Sequence, residues 1–357
     1  MTISAFDHPL LGALLGDEEV AASFSLDADL AAMLAFEAAL AEAQASLGLL
    51  PTEAARHIAE VCASFSPDRA GLAAGAARDG VVAPALVAQL RAAVGEPHGK
   101  HLHRGATSQD VIDTSLTMRL KSVCDLFDRR LASLIETLRE LDRRDSAILL
   151  MGRTRMQRAL PIAAHDKLRV WREPLERHRA RLIELRPRLF VVQFGGPVGT
   201  RADLDGKGDA LAAELARRLG LGDAPCWHVE RDRIGEFASW LGLVAGSLGK
   251  IGQDAALMAQ NEVSELRLAG GGGSSAMPHK SNPVLAEVLV ALARFSAGLV
   301  GTLNQGLVAE NERSGAAWTL EWLTLPPLVA ATATGLRHAA TMCQGLQFVS
   351  APDLMKV

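Results

Sequence analysis

Two stretches of the sequence gather side chains that could do chemistry. Residues 270–287, GGGGSSAMPHKSNPVLAE, set four glycines ahead of Ser274, Ser275, His279, Lys280, Asn282 and Glu287. Glycine lifts the steric limits on φ and ψ, so the run predicts a loop. A plain surface linker seldom carries Met-Pro-His-Lys-x-Asn-Pro. No Gly-Lys-Ser/Thr order is present to make a Walker phosphate loop, and no Gly-x-Ser-x-Gly to make a nucleophile elbow. Residues 152–158, GRTRMQR, bring three guanidiniums into one segment: Arg153, Arg155 and Arg158, with the amide of Gln157 among them. One arginine alone reads as a surface ion pair worth ~0–1 kcal/mol. Three together suit bidentate pairing with a polycarboxylate.

These stretches, with 101–110 (HLHRGATSQD) and 193–200 (QFGGPVGT), lie at the ends of long periodic segments. From Leu116 to Leu141 apolar residues recur in steps of 4, 3, 4, 4, 3, 4 and 3 with no Pro or Gly between them. A heptad-like seam of that length predicts a long helix in a bundle. Further helices are expected over 162–186, ended by Pro187, and over 232–268, 283–302 and 318–344. In the second of these Gly242, Gly246, Gly249 and Gly252 predict close helix–helix approach. Ahead of the bundle, shorter helices over 26–47, 52–63 and 83–94 form a small region. The expected domains are 1–98, a small N-terminal helical domain, and 99–357, a five-helix bundle carrying the 270–283 loop. Bundle ends can meet, and the apolar seams are expected to be buried between subunits.

Composition narrows the classes. Of 357 residues 49% are hydrophobic and 4% aromatic, and tyrosine is absent. That disfavours an all-β fold and removes Tyr as a catalytic acid. The net charge of −4 gives no global field for nucleic acid. The four cysteines form no CxxC pair, which predicts reduced thiols in a cytoplasm rather than a disulfide framework. The N-terminus has no signal-peptide pattern. The uncharged runs 295–309 and 323–336 fall short of a membrane span of about 20 residues, so neither membrane nor nucleic acid is an expected partner. The ten histidines show no HxxxH or HExxH spacing, so no metal is expected.

The stretch GSSAMPHKSNPVLAE resembles the signature loop of the fumarase/aspartase superfamily. HLHRGATSQDVIDT and GRTRMQRALP resemble two further regions of that superfamily, in the same order. The resemblance covers nearly the whole chain. It implies an all-α fold and a homotetramer with five long helices per subunit in its core. It also implies active sites where three subunits meet, and no cofactor. Members usually continue into a third helical domain, which has no counterpart in a sequence stopping at Val357. Within the superfamily, RPRLFVVQFGGPVGT, WHVERDRIGEFASWLGLVAGSLGKIGQD and ERSGAAWTLEW resemble the family of cycloisomerases that lactonize 3-carboxy-cis,cis-muconate. That reaction yields 4-carboxymuconolactone, in the protocatechuate branch of the β-ketoadipate pathway.

By resemblance Ser274 is the catalytic proton carrier. A serine hydroxyl needs positive potential and N–H groups to serve as one. Lys280 and Asn282 would hold a substrate carboxylate, Ser275 would shape the loop or bind, and Glu287 is retained from the lyases. Thr107 and Ser108 would bind another carboxylate. His103 would orient substrate or tune charge, with His101 and His279 weaker candidates. Arg313 would join Arg153, Arg155, Gln157 and Arg158 in a tricarboxylate cradle. Asp110 and Asp113 are expected only to start the long helix as acidic N-terminal residues. The lyases carry a His as acid where this sequence has Arg155. A guanidinium, always protonated, cannot shuttle a proton. A leaving carboxylate needs no acid, so Arg155 suits lactonization and its reverse. Three alternatives stay open: a 3-sulfomuconate cycloisomerase, an adenylosuccinate-lyase-like lyase and a non-catalytic scaffold. Trp318 and Trp322 occupy the positions where adenylosuccinate lyases bind phosphate, and the four loop residues argue against a scaffold.

Overall fold

The computed structural model describes residues 4–202, 204–269, 272–273, 277 and 281–350. Ser274, Ser275, His279 and Lys280 lie outside the described residues.

The periodic seam becomes α7 (Ser108–Asp145), 38 residues long, in which Leu120, Val123, Phe127, Leu131, Leu134, Leu138 and Leu141 are all buried. Before it come α1 (Gly12–Leu15), α2 (Glu18–Ser23), α3 (Leu26–Ser46), α4 (Thr52–Ser64), α5 (Arg69–Asp79) and α6 (Ala83–Val94). After it come α8 (Ala164–Leu189), α9 (Gly208–Leu219), α10 (Asp232–Met258), α11 (Val284–Asn304) and α12 (Gly315–Gln344). Helices α7, α8, α10, α11 and α12 are the long ones, and one hydrophobic core runs among them. A second core joins α3, α4, α6 and α9 around Phe36, Leu40, Leu86 and Leu215, and takes in Val192, Phe194 and Trp318 from later in the chain.

Three of the four glycines in α10 sit where α11 crosses. A Cβ on Gly249 would stand 2.4 Å from that of Ala293, one on Gly252 2.6 Å from the Ala286 carbonyl oxygen, and one on Gly242 2.9 Å from Val300 Cγ2. Gly246 has nothing within 4 Å and plays no part in this approach.

The sequence expectations fail at four places. Pro187 does not stop α8, which ends at Leu189. A proline in the last turn forfeits one bond to a carbonyl, here that of the exposed Ile183, which water can satisfy. The helix expected to run to 268 ends at Met258. The chain then reverses through Ser264 (φ 52°), and β3 (Leu266–Leu268) pairs antiparallel with β4 (Leu346–Phe348). Segment 149–163 is an antiparallel hairpin, β1 (Leu149–Thr154) and β2 (Gln157–Ala163), so short strands decorate a mostly helical fold. Finally, the run 284–307 is long and apolar enough to cross a membrane by length and composition, with mean hydropathy 1.8. Glu287 and Arg294 divide it into shorter charge-free runs. It packs along α10 and α12, yet only 28% of that window is buried.

Candidate functional site

The first group of expected residues gathers where α7 begins. Thr107 caps the helix, and its N–H donates to Asp110 Oδ2 at 3.0 Å. Ser108 is the first helical residue, at the positive end of a 38-residue helix. His103 stands just before it with φ 62°. Its Nδ1 lies 2.6 Å from Oε1 of Glu37, a carboxylate of α3 with 1% side-chain exposure. Burial pulls the His103 pKa down, but the charge and hydrogen bond of Glu37, with the charge of Asp110, outweigh it and the net shift is upward. Gly196 (φ 70°) closes over this loop, where a Cβ would stand 2.9 Å from the Gly105 carbonyl oxygen. Arg313 reaches the same loop, its Nη2 donating to the Pro197 carbonyl at 2.9 Å.

Asp110 stands in the first turn of α7 as expected and closes a capping box with Thr107, but it and Asp113 do more than start the helix. Both are fully buried and act as acceptor nodes. Asp110 accepts from the N–H groups of Gly195 (2.8 Å) and Gly196 (2.9 Å) and from His228 Nε2 (2.8 Å). Burial lowers the His228 pKa, but the Asp110 hydrogen bond, the neighbouring Cys226 and the Asp110 charge together more than reverse this and raise it to about 9. One turn on, Asp113 meets Arg231 (2.6 Å) and the indole N–H of Trp318 (3.0 Å). Arg231 also forks onto Glu321 (2.8 and 2.6 Å) and lies over the Trp227 ring. A buried guanidinium between two carboxylates needs such complete pairing. Trp318 packs on Trp322, with ring centroids 4.7 Å apart. The positions expected to exclude phosphate binding thus hold a packed indole pair. Sequence reasoning missed Glu37, His228, Arg231 and Glu321. Arg231 sits in a run, ERDR, that reads as solvated charge, and Glu37 is one of two glutamates, with Glu42, in the Ala/Leu run of α3.

The second group gathers at the other end of the bundle. Arg155 and Met156 form the tip of the β1–β2 hairpin, with φ of 49° and 69°, between the paired residues Thr154 and Gln157. Arg155, Gln157 and Arg158 are exposed. Arg153 instead turns inward onto Glu265 (2.9 Å), a buried carboxylate that also accepts from the Met151 N–H. A cavity of about 420 Å³ beside it is lined by Arg153, Arg155, Lys167, Lys250, Asp254 and Glu265. Asn282 is tied to Gly272 by two 2.9 Å backbone bonds, and Glu287 stands exposed in the first turn of α11. Among the described residues no three His, Cys, Asp or Glu converge as metal ligands.

Within one chain the two groups do not meet. The 38 residues of α7 separate them, and at 1.5 Å per residue that is about 55 Å. His103, Thr107, Ser108 and Arg313 stand at one end. Arg153, Arg155, Gln157, Arg158, Asn282 and Glu287 stand at the other.

With this geometry established, the similarities to known proteins carry weight. A family model described as a lyase matches residues 17–296. The chain is 44% identical to 3-carboxy-cis,cis-muconate cycloisomerase of Pseudomonas aeruginosa over 334 residues, covering 91% of this chain and 72% of the relative. It is 34% identical to N-acetyl-S-(2-succino)cysteine lyase of Enterococcus italicus, covering 92% of this chain and 73% of that one. The crystal structure of 3-carboxy-cis,cis-muconate lactonizing enzyme from Pseudomonas putida superposes with a TM-score of 0.91 at 41% identity, covering 96% of this chain and 78% of that one. A fumarate lyase from Mesorhizobium sp. BNC1 gives 0.88 at 35%, covering 96% and 77%. A long-helix bundle with polar clusters at both ends, matched along nearly its whole length, makes this chain an enzyme of the lyase family.

Proposed function

We propose that the chain is a 3-carboxy-cis,cis-muconate cycloisomerase acting as a homotetramer, with each site assembled from both bundle ends of different copies. One carboxylate of the substrate adds to the conjugated double bond. The resulting enediolate is protonated by Ser274 to give 4-carboxymuconolactone. The bundle of residues 99–357 carries the chemistry, and the region 1–98 covers it. The observation that carries this is Arg155 at an exposed hairpin tip, where the acid-dependent lyases have a His. A guanidinium there pairs with carboxylates and moves no proton, which fits a reaction whose nucleophile and leaving group is a carboxylate. Glu287, exposed on α11, completes that end of the site. The 55 Å separation supports sharing between copies, as does the apolar run of α11, 28% buried in the lone chain.

The test follows the conjugated-diene absorbance of 3-carboxymuconate. Wild-type protein should remove the band and Ser274→Ala should not. An unchanged band with wild type sinks the proposal. A higher kcat/KM on 3-sulfomuconate would reassign the substrate.

A further inference from the structure

We infer that Glu37 is a positioning residue for this site: it clamps His103 through Nδ1 and holds the ring as a cation that presents Nε2 beside the start of α7, where a substrate carboxylate binds. That a substrate carboxylate binds there rests on the proposed function. The geometry carries the rest. Helix α3 grips the loop twice on one face, seven residues apart: Glu37 on His103 at 2.6 Å, and Gln44 Nε2 on the Arg104 carbonyl at 2.6 Å. Glu37 is 1% exposed, and its Oε2 has no hydrogen-bond partner among the described residues. A carboxyl group so buried needs a hydrogen-bond partner, and His103 supplies it at Oε1.

The His103 backbone is held at φ 62°, a left-handed conformation uncommon outside glycine, which sets the direction of its Cα–Cβ bond, and the Glu37 contact ties down the ring. The charged groups around it are Glu37 on α3, Asp110 on α7 and Arg91 on α6; the two carboxylates favour the cation and the arginine opposes it. A cation fixed in a partly buried pocket stabilises the extra negative charge of an enediolate without reorganising. The hairpin has lost the acid His of the lyases and cannot supply a titrating group there.

Glu37→Gln keeps an acceptor for Nδ1 and removes the charge. In the wild type the alkaline limb of the kcat/KM profile should lie above pH 6.5. In the variant it should move lower, giving a loss of activity at pH 7.5 that is recovered at pH 5.5. A merely structural role would lower activity equally at every pH. Glu37→Asp should restore most of the wild-type profile. Independently of turnover, carbethoxylation by diethyl pyrocarbonate, which attacks only the neutral ring, is followed on the His103 peptide by mass spectrometry. Its midpoint should exceed pH 6.5 in the wild type and fall in Glu37→Gln. A wild-type midpoint at or below 6.5 overturns the inference even if Glu37→Gln does not fold. An inactive wild type with a raised midpoint overturns the proposed function and leaves the clamp standing.

Discussion

Stability should fall with rising pH through one identifiable pair, His228 and Asp110. Both are buried, and Nε2 stands 2.8 Å from Oδ1. The folded imidazole holds its proton up to about pH 9, against 6.5 for an ordinary His. Below 6.5 folded and unfolded chains are both protonated, and the pair contributes fully. Between 6.5 and 9 the unfolded chain releases a proton that the folded chain keeps, so stability declines, and above about 9 the contribution is gone. At about 1.4 kcal/mol per pH unit the difference amounts to about 3 kcal/mol. An unfolding entropy of about 2.1 cal/mol/K per residue converts this, for 357 residues, to about 4 °C in Tm. His228→Gln keeps an amide for Asp110 and removes the titration. The Tm gap between wild type and variant should therefore be about 4 °C wider at pH 6 than at pH 10. Tryptophan fluorescence reads the melt cleanly, because the chain has no tyrosine to ionise at alkaline pH. A gap constant across that range refutes the assignment of the proton to His228.

The α10 glycines separate packing from propensity. Gly252→Ala should cost about 1–3 kcal/mol in urea unfolding, because its Cβ meets the Ala286 carbonyl at 2.6 Å. Gly246→Ala, with open space around it, should gain about 0.4–1 kcal/mol; equal effects would contradict the close approach. At the hairpin tip, Met156→Gly and Arg155→Gly both relieve a left-handed residue. The second should lower kcat/KM on 3-carboxymuconate by roughly 10- to 100-fold more than the first, the worth of a charge-assisted pair; matching losses would mean that the turn or its contact and not the guanidinium matters.

What the sequence discloses follows from which forces leave a periodic trace. Burial along a helix repeats every three to four residues, so α7 and its seam were readable, as was the span of α6 from its proline start and glycine stop. The α10 glycines announced a neighbour without naming α11. The polar core left no such trace. Asp110, Asp113, Arg231 and Glu321 look like surface charge along the chain, and only tertiary pairing shows that they are buried. The end of α10 was hidden for another reason. Leu266 and Leu268 continue an apolar pattern, and nothing local reveals that their partners are Leu346–Phe348, about eighty residues away. Helices α5 and α9 are short and rich in Ala and Gly or in charge, so their apolar stripes are narrow. At the site, residue types were legible but their grouping was not, because two bundle ends of one chain lie far apart.

The hairpin shows why that separation is built in rather than incidental. A two-residue turn with both centres at positive φ favours Asn-Gly, yet here it holds Arg155 and Met156. Each non-glycine residue in that region costs on the order of 1–2 kcal/mol, so the surroundings must hold it in place. The Arg153–Glu265 pair and the bond from the Met151 N–H to Glu265 fasten the base of the hairpin to the bundle. Strain kept at a tip by anchors at its base serves whatever the tip touches. In its own chain the tip touches little: Met156 is 73% exposed and Leu160 71%. Two large apolar side chains beside two exposed guanidiniums make a poor solvent-facing turn. In the proposed assembly they would make a contact for another copy whose α7 start brings His103, Thr107 and Ser108. The same logic explains why the two ends differ in kind. The α7 end is buried and tied together around Asp110, which accepts from Gly195, Gly196 and His228, while the hairpin end projects outward. In the proposed assembly one would supply an anion pocket, and the other would deliver Arg155 to it.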